Sequence, residues 1–500
     1  MHYQSTRNKC ISVSSAEAIQ KGLSAEGGLF VPESFPSVDG EDTELLKDKS
    51  YNERAYFILS KFLDDFTENE LFDCINKAYT KEKFETENVA PVYKLNDTTY
   101  FLELWHGPTC AFKDMALQIL PHLLTTSMKK NNEDKEVVIL VATSGDTGKA
   151  ALEGFKNVPG TRIVVFYPNK GVSEIQKLQM ITQEGDNVAV AAVSGNFDDA
   201  QNGVKKIFTD NGYGELLSNN HFKLSSANSI NWGRLVPQIV YYFSAYADLL
   251  KVGEIQNGNK INIVVPTGNF GNILAAYYAK KMGLPISKLI CASNSNNILT
   301  DFINTGVYDK NRDFHTTVSP SMDILISSNL ERFLYDISGN DDKLISGFMS
   351  DLAENGKYEV NDDMKSKIKE FFWAGCSDDE ETMASIKKCF GEYSYVIDTH
   401  TAVAKSVYDK YAAQTKDTTK TVIASTASPF KFNQSVLIAL NGHNAVVGKD
   451  EFTLLKELSA QSGMTIPASL AELKGKAVLF DTVCDKDQMQ QIVSDFLKVE

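Results

Sequence analysis

Seven cysteines among 500 residues, at positions 10, 74, 110, 291, 376, 389 and 484, are odd in number, scattered and free of any C-x-x-C pair. That pattern excludes a disulfide framework and a zinc site, leaves no other metal site to expect, and fits a reducing compartment. Positive charge is short as well. Fifty Lys and Arg against 65 Asp and Glu give a net charge of −15, and the pI is near 5.1, so nucleic acid is excluded as the main partner, because backbone phosphates demand a concentrated cationic face. No uncharged apolar run approaches the roughly 20 residues that span a bilayer. Met1-His-Tyr-Gln-Ser-Thr-Arg7 has no apolar leader core. The expectation is a cytoplasmic protein with no membrane partner, either a monomer or a weak homo-oligomer. Internal repeats and low-complexity tracts are also absent.

Two nucleotide signatures are missing. The stretch Thr143 to Ala150 contains Gly-Lys, but a phosphate-binding P-loop needs glycine where Thr143 stands and a hydroxyl residue where Ala150 stands. No G-x-G-x-x-G follows a strand, which removes a Rossmann dinucleotide role.

What is present centres on His106-Gly-Pro-Thr-Cys-Ala-Phe-Lys-Asp114, which sets one lysine after a rigid turn and two apolar residues. A primary amine among apolar neighbours loses hydration of its ammonium form and can add to an aldehyde, of which pyridoxal phosphate is the obvious one. By itself the segment is equally compatible with a solvated surface lysine. Three strand-like runs narrow the choice: Val137 to Ala142 before Thr143-Ser-Gly-Asp-Thr-Gly148, Ile261 to Val265 before Pro266-Thr-Gly-Asn-Phe-Gly-Asn272, and Thr421 to Thr426 before Ala427-Ser-Pro-Phe-Lys431. The first two lead into helical segments, and a strand-loop-helix junction of small residues is an anion site, one for a cofactor phosphate and the other for a substrate anion. Arg234 is either a surface arginine or the cation for a substrate phosphate, with Asn231 and Lys149 as weaker candidates. His106 and His400 read as turn or packing histidines, and Cys110 as a packing residue.

The alternation of short β-rich runs with helical segments from Thr99 onward implies α/β architecture with parallel sheets covered on both faces. Residues 1–98 alternate helices and polar turns and read as a capping domain. The acidic, helix-rich stretch 300–391 reads as an insertion beside the larger domain.

In their order and spacing these motifs resemble the threonine synthase family, in the long form of fungi and many bacteria. The resemblance rests on H-G-P-T-x-A-F-K-D, on G-N-F-G-N at Gly268 to Asn272, and on S-T-A-x-P at Ser425 to Pro429. It extends to Ser5-Thr-Arg7, Glu26 to Pro32, Ser194 to Asp199, Asn228 to Arg234, Ser319 to Asp323 and Asp398 to Ala402. No motif can be named in the carboxyl-terminal hundred residues. The resemblance implies a fold type II pyridoxal-phosphate enzyme with two open, doubly wound parallel-sheet domains. The larger would comprise 99–135 and 251–500, the smaller and mobile one 136–250. It implies Lys113 as the Schiff-base lysine and then the base, Gly268, Asn269, Phe270, Gly271 and Asn272 as the cofactor-phosphate loop, and Thr426 as partner of the pyridine nitrogen. Ser144, Gly145, Asp146 and Thr147 would take the substrate carboxylate while capping their helix, and Asn231 and Arg234 the substrate phosphate. Asp146 departs from many enzymes of this fold, which carry asparagine there; a carboxylate facing the cofactor's phenolate oxygen must be protonated or turned away. The implied reaction takes O-phosphohomoserine and water to L-threonine and phosphate by γ-elimination and β-addition. The alternatives are an O-phosphohomoserine lyase or a serine/threonine dehydratase on the same fold, and a non-catalytic cofactor-binding regulator.

Overall fold

The computed structural model describes residues 1–143, 145–170 and 172–499. Glu136–Ala142, Thr161–Pro168 and Val188–Val193 are apolar over nearly their whole length, as strands covered on both faces must be, and pair in parallel. Phe222–Ser225 extends one edge of this sheet and Val483–Cys484 the other, making five strands. A six-stranded sheet runs in the order Phe372–Cys376, Ile286–Ser293, Ile261–Pro266, Thr421–Ser425, Thr99–Glu103, Val92–Lys94, with only the last pair antiparallel. The α/β class with parallel sheets is as the alternating pattern requires. Ligands in such sheets bind beyond the carboxyl ends of the strands, which is where the segments 145–148, 267–271 and 426–428 lie.

Several segments pack differently from the sequence-based division. The helix Trp232–Lys251, grouped above with 136–250, packs along Gly271–Met282 and Tyr51–Phe62 and buries Tyr241, Tyr242 and Tyr246 there. Val483–Cys484 and the helix Met489–Leu497 return to the five-stranded sheet, where Met489 and Val493 join the cluster around Val138 and Phe166. Within the 300–391 stretch, Phe372–Cys376 is an integral edge strand of the larger sheet.

The amino-terminal region has the expected helices, Ser15–Lys21, Gly40–Leu46, Tyr51–Phe62 and Glu68–Ala78. Three of them open with a hydroxyl residue and a glutamate three positions later, Ser14/Glu17, Ser50/Glu53 and Thr67/Glu70, each closing a reciprocal capping box. It also has a three-stranded antiparallel sheet of Phe30–Pro32, Tyr3–Ser5 and Asn8–Val13, too short to leave a periodic signal. Its Thr6 and Arg7 reach Glu331, the hydroxyl at 2.6 Å and the guanidinium at 2.9 and 2.8 Å, and so dock the cap on the insertion. Among the described residues no helix is long and apolar enough to cross a membrane.

Candidate active site

Lys113 is placed by a turn that its neighbour closes. Thr109 donates its backbone N–H (2.8 Å) and hydroxyl (2.7 Å) to the carboxylate of Asp114. A Cβ on Gly107 would stand 2.6 Å from that side chain, so the glycine is a steric requirement. Burial pushes the Asp114 carboxyl up to about 6, against the pull of the Thr109 donors. Cys110 adopts a left-handed φ of 58°, and its buried thiol is pushed up to about 12, the state of a packing residue rather than a nucleophile. The turn is then stitched to the third loop: Phe112 N–H donates to the Thr426 carbonyl (2.8 Å), and Ser428 N–H to that of Cys110 (3.0 Å).

The Lys113 side chain is buried, with Nζ 3.2 Å from Ser321 Oγ, 3.5 Å from Asp146 Oδ2 and 5.1 Å from the centre of the Phe112 ring. Burial lowers its pKa; Asp146 opposes that, while Lys431 and Arg234 reinforce it. The amine is thereby biased toward the free base that carbonyl addition needs.

Asp146 meets four partners. Its Oδ1 lies 2.7 Å from Lys431 Nζ and accepts from Gln176 Nε2 at 2.8 Å; its Oδ2 accepts from Ser321 Oγ at 3.2 Å and faces Lys113. Burial alone would raise its pKa, but the two lysines outweigh it and hold the carboxyl well below the usual range. The departure noted in the sequence is thus not met by protonation: the carboxylate stays charged, and Lys431 matches it. Capping of the helix Asp146–Phe155 falls to neither Asp146 nor Thr147. The Thr143 hydroxyl accepts from Gly145 N–H (3.0 Å) and Gly148 N–H (2.9 Å) instead, because Asp146 is engaged with the lysines. Gly145 has φ 145° and no room for a Cβ, which would meet Gln176 at 2.6 Å. Ser144, the remaining member of that set, lies outside the described residues.

The loop Gly268 to Asn272 opens the helix Gly271–Met282. Phe270 is left-handed at φ 64°, Asn329 N–H donates to the Asn269 carbonyl (3.1 Å), and a Cβ on Gly268 would meet the Ser321 carbonyl at 2.9 Å. Asn272 Oδ1 accepts from Tyr241 (2.9 Å) and Tyr242, whereas its buried Nδ2 has no partner among the described residues. Arg234 is buried and pushed down to about 10 by desolvation; Nη1 donates to the Ala227 carbonyl (2.8 Å), and Nε has no partner among the described residues. Buried donors without acceptors are costly, and an anion would satisfy both. Asn231 departs from the reading given above. It caps the helix Trp232–Lys251 through Gly233 N–H (2.8 Å) and donates to the Ile19 carbonyl (3.0 Å), so both ends of its amide serve the fold. Lys149 pairs with Glu153 at 3.1 Å in a separate cleft of about 170 Å³ that includes Pro108 and Lys476.

Lys431, Gln176 and Ser321 were missed as site residues, and His400 was passed over. His400 Nδ1 bonds Asp398 at 3.0 Å and its Nε2 accepts Ser321 N–H at 3.2 Å, so it holds the Ser321 loop under Lys113. His106 bonds Glu103 (2.7 Å) and stacks on Trp105, the packing role its turn position implies. Ser321 and His400 lie inside the segments 319–323 and 398–402 that carry the resemblance, and Lys431 is a cation five residues after Thr426, whereas Gln176 has no signal of this kind. A covalent aldehyde cofactor with a phosphate fits this constellation: a desolvated amine, a helix start with a glycine that excludes side chains, and unpaired donors on Asn272 and Arg234.

Comparison with known proteins agrees with this geometry along the whole chain. Residues 2–79 match the family model described as threonine synthase N terminus, 84–354 that of pyridoxal-phosphate dependent enzymes, and 401–493 that of the threonine synthase C-terminal region, most of which carries no motif that can be named from sequence. Human threonine synthase-like 1 is 41% identical over 85% of this chain, which spans only 58% of that protein's length. Threonine synthase of Schizosaccharomyces pombe is 36% identical, with 88% of this chain and 90% of that one covered. The crystal structure of threonine synthase from yeast superposes with a TM-score of 0.89 at 32% identity, over 99% of both chains. The pyridoxal-phosphate-bound threonine synthase of Brucella melitensis gives 0.88 at 35% identity over 100% of this chain and 99% of that one.

Proposed function

The chain belongs to the threonine synthase family of pyridoxal-phosphate-dependent enzymes, and we propose on that footing that it converts O-phosphohomoserine and water to L-threonine and phosphate. The observation that carries the reading is the buried Lys113 amine, within electrostatic reach of the buried Arg234, whose Nε lacks a partner among the described residues. Pyridoxal phosphate, when bound, supplies the electron sink for a carbanion beside the substrate's amino group.

Lys113 Nζ would hold the cofactor and, when free, would take the proton from the substrate's α carbon; its lowered pKa suits both roles. The 268–272 loop would hold the cofactor phosphate with backbone N–H groups at a helix start, and the Thr426 hydroxyl would serve the ring nitrogen. Gly145 and Thr147 offer donors to the substrate carboxylate. Arg234 presents the free side of its guanidinium to the phosphate that leaves from the γ position, and a burial of this depth excludes bulk water. Such an enzyme works in the cytoplasm on a small molecule, with no nucleic acid partner.

Purified protein supplied with pyridoxal phosphate, O-phosphohomoserine and heavy-oxygen water tests this reading. Threonine labelled in its hydroxyl, with an equal amount of phosphate, is the expected product pair. Phosphate with 2-oxobutyrate would replace the reading by a lyase, and absence of phosphate release would remove it.

A further inference from the structure

A lysine with no exposed surface is an expensive feature, since its ammonium loses all hydration. Lys431 is such a residue, with 0% of its side chain exposed. It comes from the turn Pro429–Phe432 beyond the larger sheet, donates to the Thr109 carbonyl at 3.0 Å and lies 2.7 Å from Asp146 Oδ1. Asp146 opens a helix of the smaller sheet, so the pair joins the two sheets directly beside Lys113. Nothing in the reaction proposed above uses Lys431.

Remove Lys431 in thought, and the Asp146 carboxylate keeps one amide donor, one hydroxyl donor and one cation, Lys113. A buried carboxylate beside a single ammonium holds that ammonium charged. A charged amine cannot add to an aldehyde. With Lys431 in place the carboxylate is already matched at the shorter distance, 2.7 Å against 3.5 Å.

We propose that Lys431 is a positioning residue for Lys113: by holding the Asp146 carboxylate on its far oxygen, it leaves the Lys113 amine free to carry the cofactor. The proposal deepens the reading given above and rests on it. The charged groups facing Lys113 are Asp146, Lys431 and Arg234; those facing Lys431 are Asp146, Asp114 and Lys113, with the neutral Cys110 thiol beside it. Lys431 also repels the Lys113 ammonium directly, in the same direction, and Asp146 is the carboxylate that lies between the two amines.

The test is the pH dependence of cofactor attachment, read by borohydride trapping of pyridoxal phosphate on the full chain and mass spectrometry of the peptide containing Lys113. Lys431→Met should raise the midpoint by about one pH unit, a tenfold slower attachment at neutral pH. Asp146→Asn should lower it, and the Asp146→Asn/Lys431→Met double variant should return it toward wild type. That pattern of opposite shifts and mutual rescue is not produced by a strut whose loss merely loosens the cleft. If Lys431→Met does not fold, the single Asp146→Asn and the double variant still carry the comparison. An unchanged midpoint in Lys431→Met, or a double variant that keeps a raised one, overturns the proposal while leaving the enzyme reading intact. A wild-type chain that traps no pyridoxyl group on Lys113 overturns both.

Discussion

Phe112 donates its backbone N–H to the carbonyl of Thr426 across 2.8 Å, and this single bond ties the lysine turn to the end of the strand Thr421–Ser425. Lys113 follows one residue later. The amine proposed to hold the cofactor aldehyde and the hydroxyl proposed for its ring nitrogen therefore move as one unit, anchored to the larger sheet. The smaller sheet contributes Asp146 and Gly145 from across the cleft.

Replacement of Lys113 by Met should abolish both trapping of the cofactor and turnover, yet stabilise the fold. Its pKa is lowered on folding, so the buried ammonium is a penalty at neutral pH that shrinks as pH rises through the lowered value toward the ~10.4 of an unfolded lysine. Urea denaturation at pH 7 should show a gain in stability over wild type, and the gap should close at alkaline pH. A gap that widens instead would contradict a charge-penalised lysine.

Arg234→Met should raise the KM for the phosphorylated substrate about 10- to 100-fold, the loss of a charge-assisted hydrogen bond worth roughly 1.5–3 kcal/mol, with the absorbance of the bound cofactor unchanged. Asn231→Ala, which removes a helix cap, should instead cost about 1 kcal/mol of stability and leave the KM alone. Steady-state kinetics and melts on the two variants separate a ligand-facing residue from a structural one, and an equal effect on KM would refute the distinction.

Gly268→Ala inserts a methyl group 2.9 Å from the Ser321 carbonyl, which is backbone and cannot swing aside. Displacing that segment should weaken cofactor binding about tenfold, a strain cost near 1–3 kcal/mol. Fluorescence titration of the cofactor-free protein with pyridoxal phosphate measures it; wild-type affinity would mean the 321 segment yields freely.

Arg332 is fully buried and donates to the Phe30 carbonyl (2.9 Å), the Ile230 carbonyl (2.6 Å) and Asn329 Oδ1 (2.5 Å), while Asn329 holds the Asn269 carbonyl. It thus braces the phosphate loop and the segment before Arg234 from the cap. Arg332→Met strands these three acceptors and should destabilise the protein by about 3 kcal/mol or more, at roughly one to three per unsatisfied group. Cofactor affinity should fall with it; loss of stability at wild-type affinity would show that the loop stands without this brace.

The sequence by itself determined the apolar strand runs and the rigid turn that carries Lys113. Val137 to Ala142 reads as a buried strand from its unbroken apolar run, and Lys113 sits in a turn whose rigidity is written in Gly107 and Pro108. Tertiary structure alone decided which polar groups surround that amine. Lys431 lies 318 positions after Lys113, and Ser321 lies 208 after it; no periodicity links them. Only the crossed strand order, which sets Thr421–Ser425 between Ile261–Pro266 and Thr99–Glu103, brings them together. It likewise gave Asn231 a capping role, because a capping amide and a ligand-binding amide look the same in sequence until the position of the helix end in the fold is known. Local structure follows from short-range sterics and hydrogen bonding, which neighbouring residues encode, whereas the charge state of a buried amine depends on fields from groups that only the folded chain places within a few ångströms.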